Sequence, residues 1–239
     1  MNVIRTDSYE SLSREAASLI IKELQRKKDT LLCAATGNSP EGTYALLSER
    51  YKKEPDLFSF LRVIKLDEWG SIPMDNPGTC ESFLQKHLIG PLEIDSKSYI
   101  SFQSDPKDPD KECTRIENEL ENYGPIDICI LGLGMNGHLA LNEPGNFLES
   151  NIHVAKLSEV TLTHSMVHQM GVLPSYGLTL GMKDILQSSL ILLLISGAKK
   201  KNITAEFLKE NITTELPASF LWLHPNVVCL IDREALPRG

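Results

Sequence analysis

The sequence predicts an α/β protein built on a single doubly wound, mostly parallel sheet with helices on both faces. Short apolar runs alternate with amphipathic stretches along the chain, and continuously apolar strands are typical of a parallel sheet that is covered on both sides. No repeat, low-complexity tract or linker interrupts this alternation. We therefore predict one domain over residues 1–239.

The elements predicted in the first half follow from local patterns. Residues 8–28 carry apolar side chains at helical spacing and close in lysines, which suit the C-terminus of a helix. The run TLLCAAT is a strand that ends in the turn TGNSPEG. The predicted order is helix 8–28, strand 30–36, helix 44–53, strand 60–69, helix 79–92, strand 98–102 and helix 110–124.

The second half opens with an apolar strand, which runs into a glycine-rich segment. The predicted order is strand 126–134, helix 157–170, the segment YGLTLGMKDIL, strand 189–196, helix 197–211 and strand 226–232. In doubly wound folds, ligands bind outside the carboxyl ends of the strands. We therefore expect four strand-end segments to meet at one crevice: ATGNSP, LDEW, LGLGMNGH and ISGAKK.

Composition narrows the class of function. The net charge of −8 argues against a general nucleic-acid binder, because no basic excess exists to neutralise phosphates. A small anionic substrate is compatible with this net charge, because its binding needs only a local cluster of positive or N–H groups. The five cysteines form no C-x-x-C pair, which predicts reduced, buried thiols. The polar start MNVIRTDSYE and the short apolar run LILLLI predict neither a signal peptide nor a membrane span, and hence a cytoplasmic protein.

The segment LGLGMNGHLALNEPG at 131–145 fits G-x-G-x-x-G directly after a strand. A dinucleotide-binding turn would need a helix whose N-terminus meets the pyrophosphate, with an acid about 20 residues further on. Pro144 and Gly145 follow too soon for such a helix. The favoured alternative is a loop in which His138 and Glu143 act as acid–base groups, because histidine as a residue type can gain or lose a proton near neutrality and a carboxylate can fix its tautomer.

Other strand ends carry further candidates. Asp67 and Glu68 end one strand, and alternation predicts that only one of them points into the crevice, where it could take a proton from carbon. Residues 36–39 could cradle an anion with backbone N–H groups, although a plain capped turn explains them equally well. One lysine of SGAKKK could reach a phosphate. No metal site is predicted, because no cluster has zinc-ligand spacing, and G-x-S-x-G is absent.

The segments ATGNSP, KLDEW, NPGTCESF, LGLGMNGHLALNEPG, LTLGMKDIL and SGAKK resemble, in order and over nearly the whole chain, the glucosamine-6-phosphate deaminase/isomerase family. The glycine-rich block is the most specific of them. LDEW, PGTCESF, GMNGHL and SFLWLHPN are more similar still to galactosamine-6-phosphate isomerases (deaminating). The resemblance implies the Rossmann-like fold that this family shares with the 6-phosphogluconolactonases, which typically continue differently at residues 141–144.

The resemblance also implies roles for single residues. Asp67 would be the base that moves a proton between C2 and C1 of the open-chain sugar. His138 would assist ring opening, with Glu143 and Asn136 beside it. The other implied residues bind the substrate or its phosphate: Thr36, Gly37, Asn38, Ser39, Gly137, His164 and Lys200. Such proton transfers need no metal and no organic cofactor.

Two departures from the family pattern lie near these residues. Asn136 stands where glucosamine-specific members usually have Asp. Since Asn carries no charge, His138 should rely on Glu143 for stabilisation of its imidazolium. An arginine that helps to bind phosphate aligns near Met166, and we expect His164 or a neighbouring lysine to replace it.

A third departure concerns regulation and assembly. His153 and Ala155 stand where allosteric hexameric members carry basic effector-binding residues, and the C-terminal extension of those members is missing. The resemblance therefore implies no activation by an N-acetylated sugar phosphate. A homo-oligomer is left open, and a hexamer is not assumed.

These inferences predict an aldose–ketose isomerising deaminase that converts galactosamine 6-phosphate and water into tagatose 6-phosphate and ammonia. The near alternative is a glucosamine-6-phosphate deaminase, which yields fructose 6-phosphate. A 6-phosphogluconolactonase is a different enzyme class that needs no proton transfer at C2. A non-catalytic sugar-phosphate sensor is the last alternative, although no helix-turn-helix segment precedes residue 8.

Overall fold

The computed structural model describes residues 1–237. The strands in this range are β1 (Asn2–Thr6), β2 (Leu31–Ala34), β3 (Arg62–Lys65), β4 (Asp67–Gly70), β5 (Tyr99–Ile100), β6 (Ile128–Gly132), β7 (His153–Ala155), β8 (Tyr176–Thr179), β9 (Leu190–Ile195) and β10 (Val227–Asp232). The α-helices are α1 (Tyr9–Arg26), α2 (Asn38–Lys53), α3 (Cys80–Leu84), α4 (Pro109–Tyr123), α5 (Glu159–Leu162), α6 (Ser165–Met170), α7 (Met182–Leu186) and α8 (Lys201–Phe207).

Seven strands form a parallel sheet in the order β1-β10-β9-β6-β2-β3-β5. Every residue of β2 and β9 is buried, which requires cover on both faces of the sheet. The predicted fold class is therefore confirmed. The edge strand β1 was not predicted, because its half-exposed sequence NVIRT shows neither a continuous apolar run nor clear alternation.

A second, antiparallel sheet has the order β4-β8-β7. It corrects the prediction of one strand over 60–69, because the chain changes sheets at Leu66. The N–H group of Leu66 donates to Ala34 in the main sheet, whereas its carbonyl oxygen accepts from Leu180 next to β8. The strand β4 then pairs with β8 along its whole length. This pairing turns the LDEW segment away from the main sheet.

Several helices also differ from their predicted bounds. The helix expected at 44–53 begins earlier, at Asn38, and the one expected at 157–170 is split into α5 and α6. A π-helical turn at Gln85–Ile89 follows α3, and a 3-10 turn at Ala198–Lys200 precedes α8. The early start of α2 and the turn Ala198–Lys200 follow the ends of β2 and β9, where candidate residues lie.

The core consists of a large cluster around the main sheet and a smaller one below the second sheet. The smaller cluster comprises Trp69, Ile72, Cys80, Leu141, Ala155, Met166, Val167 and Met170. It packs β4 against α3 and α6, and so fixes the strand that carries Asp67. All five cysteines are free and buried, as predicted. Within residues 1–237, no helix combines the length and the apolar character that crossing a bilayer requires.

Candidate active site

A cavity of about 640 Å³ opens at the carboxyl ends of β2 and β6. The strand order reverses between these neighbours: the chain after β2 continues to β3 and β5, whereas β6, β9 and β10 lie on the other side. Doubly wound folds bind ligands at such a switch point. All four strand-end segments that were expected to meet contribute to the wall, at residues 35–39, at 66, 67 and 69, at 132–135 and 138, and at 196–200.

The turn after β2 presents backbone N–H groups to the cavity. Gly37 has a φ of +90°, a conformation that favours glycine. It precedes α2, a helix of 16 residues whose first turn has no side-chain cap, so its N–H groups are available to an anion. Ser39 Oγ lies 3.0 Å from Ser196 Oγ, which joins this turn to the one after β9. The arrangement can accept a phosphate.

Lys200 reaches the cavity from the turn after β9, where its ammonium group donates to the carbonyl oxygen of Leu133. Burial lowers the pKa of Lys200 to about 8. With this pKa, Lys200 carries its charge at neutral pH and loses it at moderately alkaline pH. The turn that carries Lys200 is itself anchored by the buried Asp232, whose carboxylate oxygens accept the Gly197 N–H at 3.0 and 3.2 Å.

Asp67 and Glu68 point to different environments, as alternation predicts. Asp67 lines the cavity and is 9% exposed, whereas Glu68 is fully buried in an ion pair with Lys65 at 2.7 Å. Burial and the charge of Glu68 raise the pKa of Asp67 to about 7, against the opposite effects of the Cys80 thiol and Lys65. A carboxylate with such a pKa suits a general base that works near neutrality.

His138 lines the same cavity and lies in the glycine-rich segment that follows β6. Its Nδ1 is 3.4 Å from Glu143 Oε2 and 3.1 Å from Thr161 Oγ1. Burial acts to raise the pKa of Glu143, but the hydrogen bond and the charge of His138 and the other hydrogen bonds to this carboxylate together have a larger, opposite effect, and the pKa falls to about 2. Since Glu143 is ionised, Nδ1 carries a proton toward it, and Nε2 is the nitrogen left for a ligand.

Asn136 joins the same network through both ends of its amide. Its Nδ2 donates to Glu143 Oε2 at 2.8 Å, and its Oδ1 accepts the His138 N–H at 3.2 Å. The N–H group of Ser158 donates to the other oxygen of Glu143 at 3.2 Å. Glu143 is therefore the charged partner of His138. Asn136 is uncharged and connects the two by hydrogen bonds to the Glu143 carboxylate and to the His138 backbone.

Two glycines of the G-x-G-x-x-G pattern are required by the packing of neighbouring side chains, and not by the approach of a dinucleotide. A Cβ at Gly134 would lie 2.2 Å from the His138 ring, so only glycine lets the imidazole pack there. Gly137 has a φ of +90°, and a Cβ would lie 2.2 Å from Leu216. Gly137 was expected to bind substrate, but it faces Leu216 and is not part of the cavity wall.

His164 faces the cavity, whereas Met166 does not. Met166 is buried in the smaller core cluster. His164 caps α6 by accepting the Met166 N–H on Nδ1 at 3.3 Å, which leaves Nε2 as the donor. Burial, followed by the charges of His138 and Lys200, lowers the pKa of His164 to about 4. His164 is therefore neutral at pH 7 and presents an N–H donor.

The structure thus brings most of the predicted residues to one cavity. Thr36, Gly37, Asn38, Ser39, Asp67, His138, His164 and Lys200 line it. Asn136 and Glu143 stand behind His138, and Gly137 lies outside. Sequence reasoning missed Ser158, Thr161 and Cys80, which bond to Glu143, His138 and Asp67. Cys80 lies in the segment NPGTCESF, which carried the resemblance but no residue role, and no sequence pattern marked Ser158 or Thr161.

Known proteins resemble this chain over nearly its full length. The Escherichia coli (strain K12) protein named "Putative deaminase AgaI" is 41% identical over 228 residues, which cover 95% of this chain and 90% of that protein. Glucosamine-6-phosphate deaminase 1 of Bacillus subtilis (strain 168) is 36% identical over 239 residues and 98% of both chains.

Solved structures agree with these relatives. A structure described as a monomeric glucosamine-6-phosphate deaminase matches with a TM-score of 0.93 and 34% identity over 98% of both chains. A 6-phosphogluconolactonase from Trypanosoma brucei matches with a TM-score of 0.77 at 19% identity, over 98% of this chain and 97% of that one, and shows a shared fold. Residues 5–229 match the family described as glucosamine-6-phosphate isomerases/6-phosphogluconolactonase. The chain therefore belongs to the glucosamine-6-phosphate isomerase/6-phosphogluconolactonase family.

Proposed function

We propose that this protein is an amino-sugar-6-phosphate deaminase that also isomerises its substrate, and that it converts galactosamine 6-phosphate and water into tagatose 6-phosphate and ammonia. The observation that supports this most is the shared cavity of a carboxylate with a pKa near 7, Asp67, and a histidine oriented by a carboxylate, His138. A base and an acid on one cavity suit aldose–ketose proton transfer. Relatives at least 34% identical to this chain that are named deaminases support the same class of reaction.

The proposed reaction begins with ring opening. His138 donates a proton from Nε2 to the ring oxygen as the bond between C1 and that oxygen breaks, and the negative charge of Glu143 stabilises the imidazolium form that supplies it. The C1 hydroxyl loses its proton to solvent as the aldehyde forms. Asp67 then takes the proton from C2 and delivers it to C1, while the aldehyde oxygen gains a proton and the amino nitrogen loses one through solvent, so that the amino aldehyde becomes an imine at C2 with a hydroxyl at C1. Water adds to this imine, ammonia leaves, and the ketose remains.

The phosphate is proposed to lie at the turn formed by residues 36–39. Backbone N–H groups at the start of α2, the hydroxyl of Ser39 and the N–H of His164 supply hydrogen bonds, and Lys200 supplies charge. The Lys200 ammonium group donates to the carbonyl oxygen of Leu133 in the glycine-rich loop, so it also links the phosphate end of the cavity to the His138 end.

Galactosamine 6-phosphate is proposed over its C4 epimer because the segments LDEW, PGTCESF and GMNGHL resemble galactosamine-6-phosphate isomerases. Glucosamine 6-phosphate is the second candidate, because relatives 35 and 36% identical to this chain are named glucosamine-6-phosphate deaminases. Both reactions use the same acid and base. The choice depends on the contacts that the C4 hydroxyl makes.

Parallel assays separate the candidate functions. The purified protein is incubated with galactosamine 6-phosphate, glucosamine 6-phosphate and 6-phosphogluconolactone, and ammonia release or lactone opening is followed. We expect ammonia from the galactose isomer at the highest rate. Lactone opening without ammonia would replace the deaminase by a lactonase, and binding of a sugar phosphate without any turnover would indicate a sensor.

The variant His138→Gln tests the ring-opening role. We expect kcat to fall by about 10²-fold, because glutamine fills the space but donates no titratable proton. The sugar ring also opens spontaneously, so some turnover should remain, and the loss of kcat should be smaller than for the variant Asp67→Asn. Steady-state ammonia release measures both. An unchanged kcat in His138→Gln would remove this residue from the mechanism.

The pH profile of kcat/KM should rise through about 7 as Asp67 ionises and fall above about 8 as Lys200 loses its charge. The variant Lys200→Arg keeps a charge at every pH in this range. We therefore expect the alkaline limb to flatten in Lys200→Arg while the acid limb stays in place. An alkaline limb that is identical in both proteins would assign it to another group.

Two expectations concern assembly and regulation. We propose that an N-acetylated sugar phosphate does not activate the protein, since His153 and Ala155 replace basic residues of the allosteric members. Ammonia release with and without that compound measures the effect. The sequence leaves a homo-oligomer open, and the structural relative with a TM-score of 0.93 is described as monomeric.

A further inference from the structure

The thiol of Cys80 contacts the carboxylate that we assign as the base. Cys80 is the first residue of α3, is 2% exposed, and has its Sγ 3.6 Å from Asp67 Oδ1. Within residues 1–237, no other group donates a hydrogen bond to this carboxylate. An ionised carboxylate has no proton to give, so the S–H group donates to Oδ1.

A second hydrogen bond reaches Cys80 from the turn after β2. Thr36 Oγ1 lies 3.5 Å from Cys80 Sγ. Because the thiol proton points to ionised Asp67, the hydroxyl of Thr36 must be the donor to sulfur. A chain of two hydrogen bonds therefore runs from Thr36, at the turn proposed to hold phosphate, through Cys80 to Asp67.

The backbone of Cys80 is fixed by Glu68. Oε1 of Glu68 accepts the N–H groups of Trp69 and Cys80, both at 2.8 Å, and Oε2 accepts the N–H of Glu81 at 2.8 Å and the Lys65 ammonium at 2.7 Å. One buried carboxylate thus binds β4 to the start of α3. The thiol has little freedom to move relative to Asp67.

We propose that Cys80 is a positioning residue for Asp67, and that its thiol holds Oδ1 so that Oδ2 is the oxygen that exchanges a proton with the substrate carbon. The catalytic part of this inference rests on the proposed function. The positional part does not, because it concerns the titration of Asp67 in the protein without substrate.

The test compares Cys80→Ala, which removes the donor, with Cys80→Ser, which keeps one. Cys113→Ala is the matched control, because Cys113 is also a buried thiol but lies on α4 and outside the cavity wall. Protein labelled with ¹³C at aspartate carboxyls is titrated by NMR, and Asp67→Asn identifies the Asp67 signal. Ammonia release by the same variants is measured in parallel.

We expect Cys80→Ala to move the Asp67 titration to higher pH by about half a pH unit, since a donor to the ionised form is lost. The acid limb of the pH profile should move with it, and kcat should fall by about tenfold while KM stays within about twofold. Cys80→Ser and Cys113→Ala should titrate close to the wild-type protein.

An Asp67 titration that is the same in Cys80→Ala as in the wild-type protein would overturn the proposal, as would equal shifts in Cys80→Ala and Cys80→Ser. If the wild-type protein releases no ammonia, the proposed function fails, while the NMR titration still decides whether Cys80 holds Asp67. A shift in the titration without a change in kcat would overturn the assignment of the reacting oxygen.

Discussion

Replacing Asp67 by asparagine is expected to lower kcat for ammonia release by about 10³-fold. Asparagine has nearly the shape of aspartate but cannot accept the C2 proton. The cavity and the phosphate turn should stay intact, so KM should change little. The neighbouring variant Asp75→Asn is the control, because Asp75 is exposed and outside the cavity wall. A wild-type kcat in Asp67→Asn would contradict the assignment of the base.

The same substitution should stabilise the fold at neutral and higher pH. The pKa of Asp67 is raised from its ordinary value of 3.8 to about 7, so the folded protein holds this proton more tightly than the unfolded chain. The ionisation of Asp67 therefore lowers the free energy of unfolding of the wild-type protein as the pH rises from about 4 to 7, and this contribution is missing in Asp67→Asn. The pKa difference corresponds to at most about 4 kcal/mol.

Thermal unfolding at pH 4 and pH 8 measures this linkage. We expect Tm values of Asp67→Asn and the wild-type protein to be close at pH 4 and to diverge at pH 8, with the variant more stable. Gain of stability together with loss of activity would show that the carboxylate is kept at a cost to the fold. Equal Tm differences at both pH values would contradict the raised pKa.

Replacing Lys65 by methionine should destabilise the protein by about 3–5 kcal/mol. The Lys65 ammonium is fully buried and donates to Glu68 at 2.7 Å, to Glu81 at 2.9 Å and to the Phe102 carbonyl at 2.7 Å. Without the cation, two carboxylates remain in or near the core with no opposing charge. Denaturant unfolding measures the loss.

The pair Lys209–Glu206 is a matched control for this prediction. It has the same spacing along the chain and the same 2.7 Å distance, but both of its side chains are more than half exposed. Lys209→Met should therefore cost less than about 0.5 kcal/mol. Similar losses for Lys65→Met and Lys209→Met would mean that burial does not determine the importance of these ion pairs.

The sequence was sufficient to predict the elements that depend on local pattern. Continuous apolar runs marked β2, β6, β9 and β10, and the rule for the ends of parallel strands then brought Asp67, His138 and Lys200 to one crevice. The spacing of His138 and Glu143 indicated their contact, because both lie in one short loop. These predictions needed no knowledge of distant pairings.

What could not be predicted depends on contacts between distant segments. The second sheet exists because residues around 67 pair with residues around 179, and nothing local in LDEW marks that change of partner. Cys80 was counted among ordinary buried thiols, since its distance to Asp67 follows from the Glu68 contacts rather than from spacing. The position of Gly137 outside the cavity wall and next to Leu216 was also not predictable, because a glycine pattern does not distinguish approach to a ligand from packing against a side chain.

A competition experiment tests the central claim most directly. The protein is given equal concentrations of galactosamine 6-phosphate and glucosamine 6-phosphate, and the two ketose phosphates are quantified early in the reaction, so that their ratio equals the ratio of kcat/KM. We predict about ten times more tagatose 6-phosphate than fructose 6-phosphate. We also predict that Asp67→Asn forms both products far more slowly than the wild-type protein. An excess of fructose 6-phosphate would contradict the proposed substrate, and product formation by Asp67→Asn at the wild-type rate would contradict the mechanism.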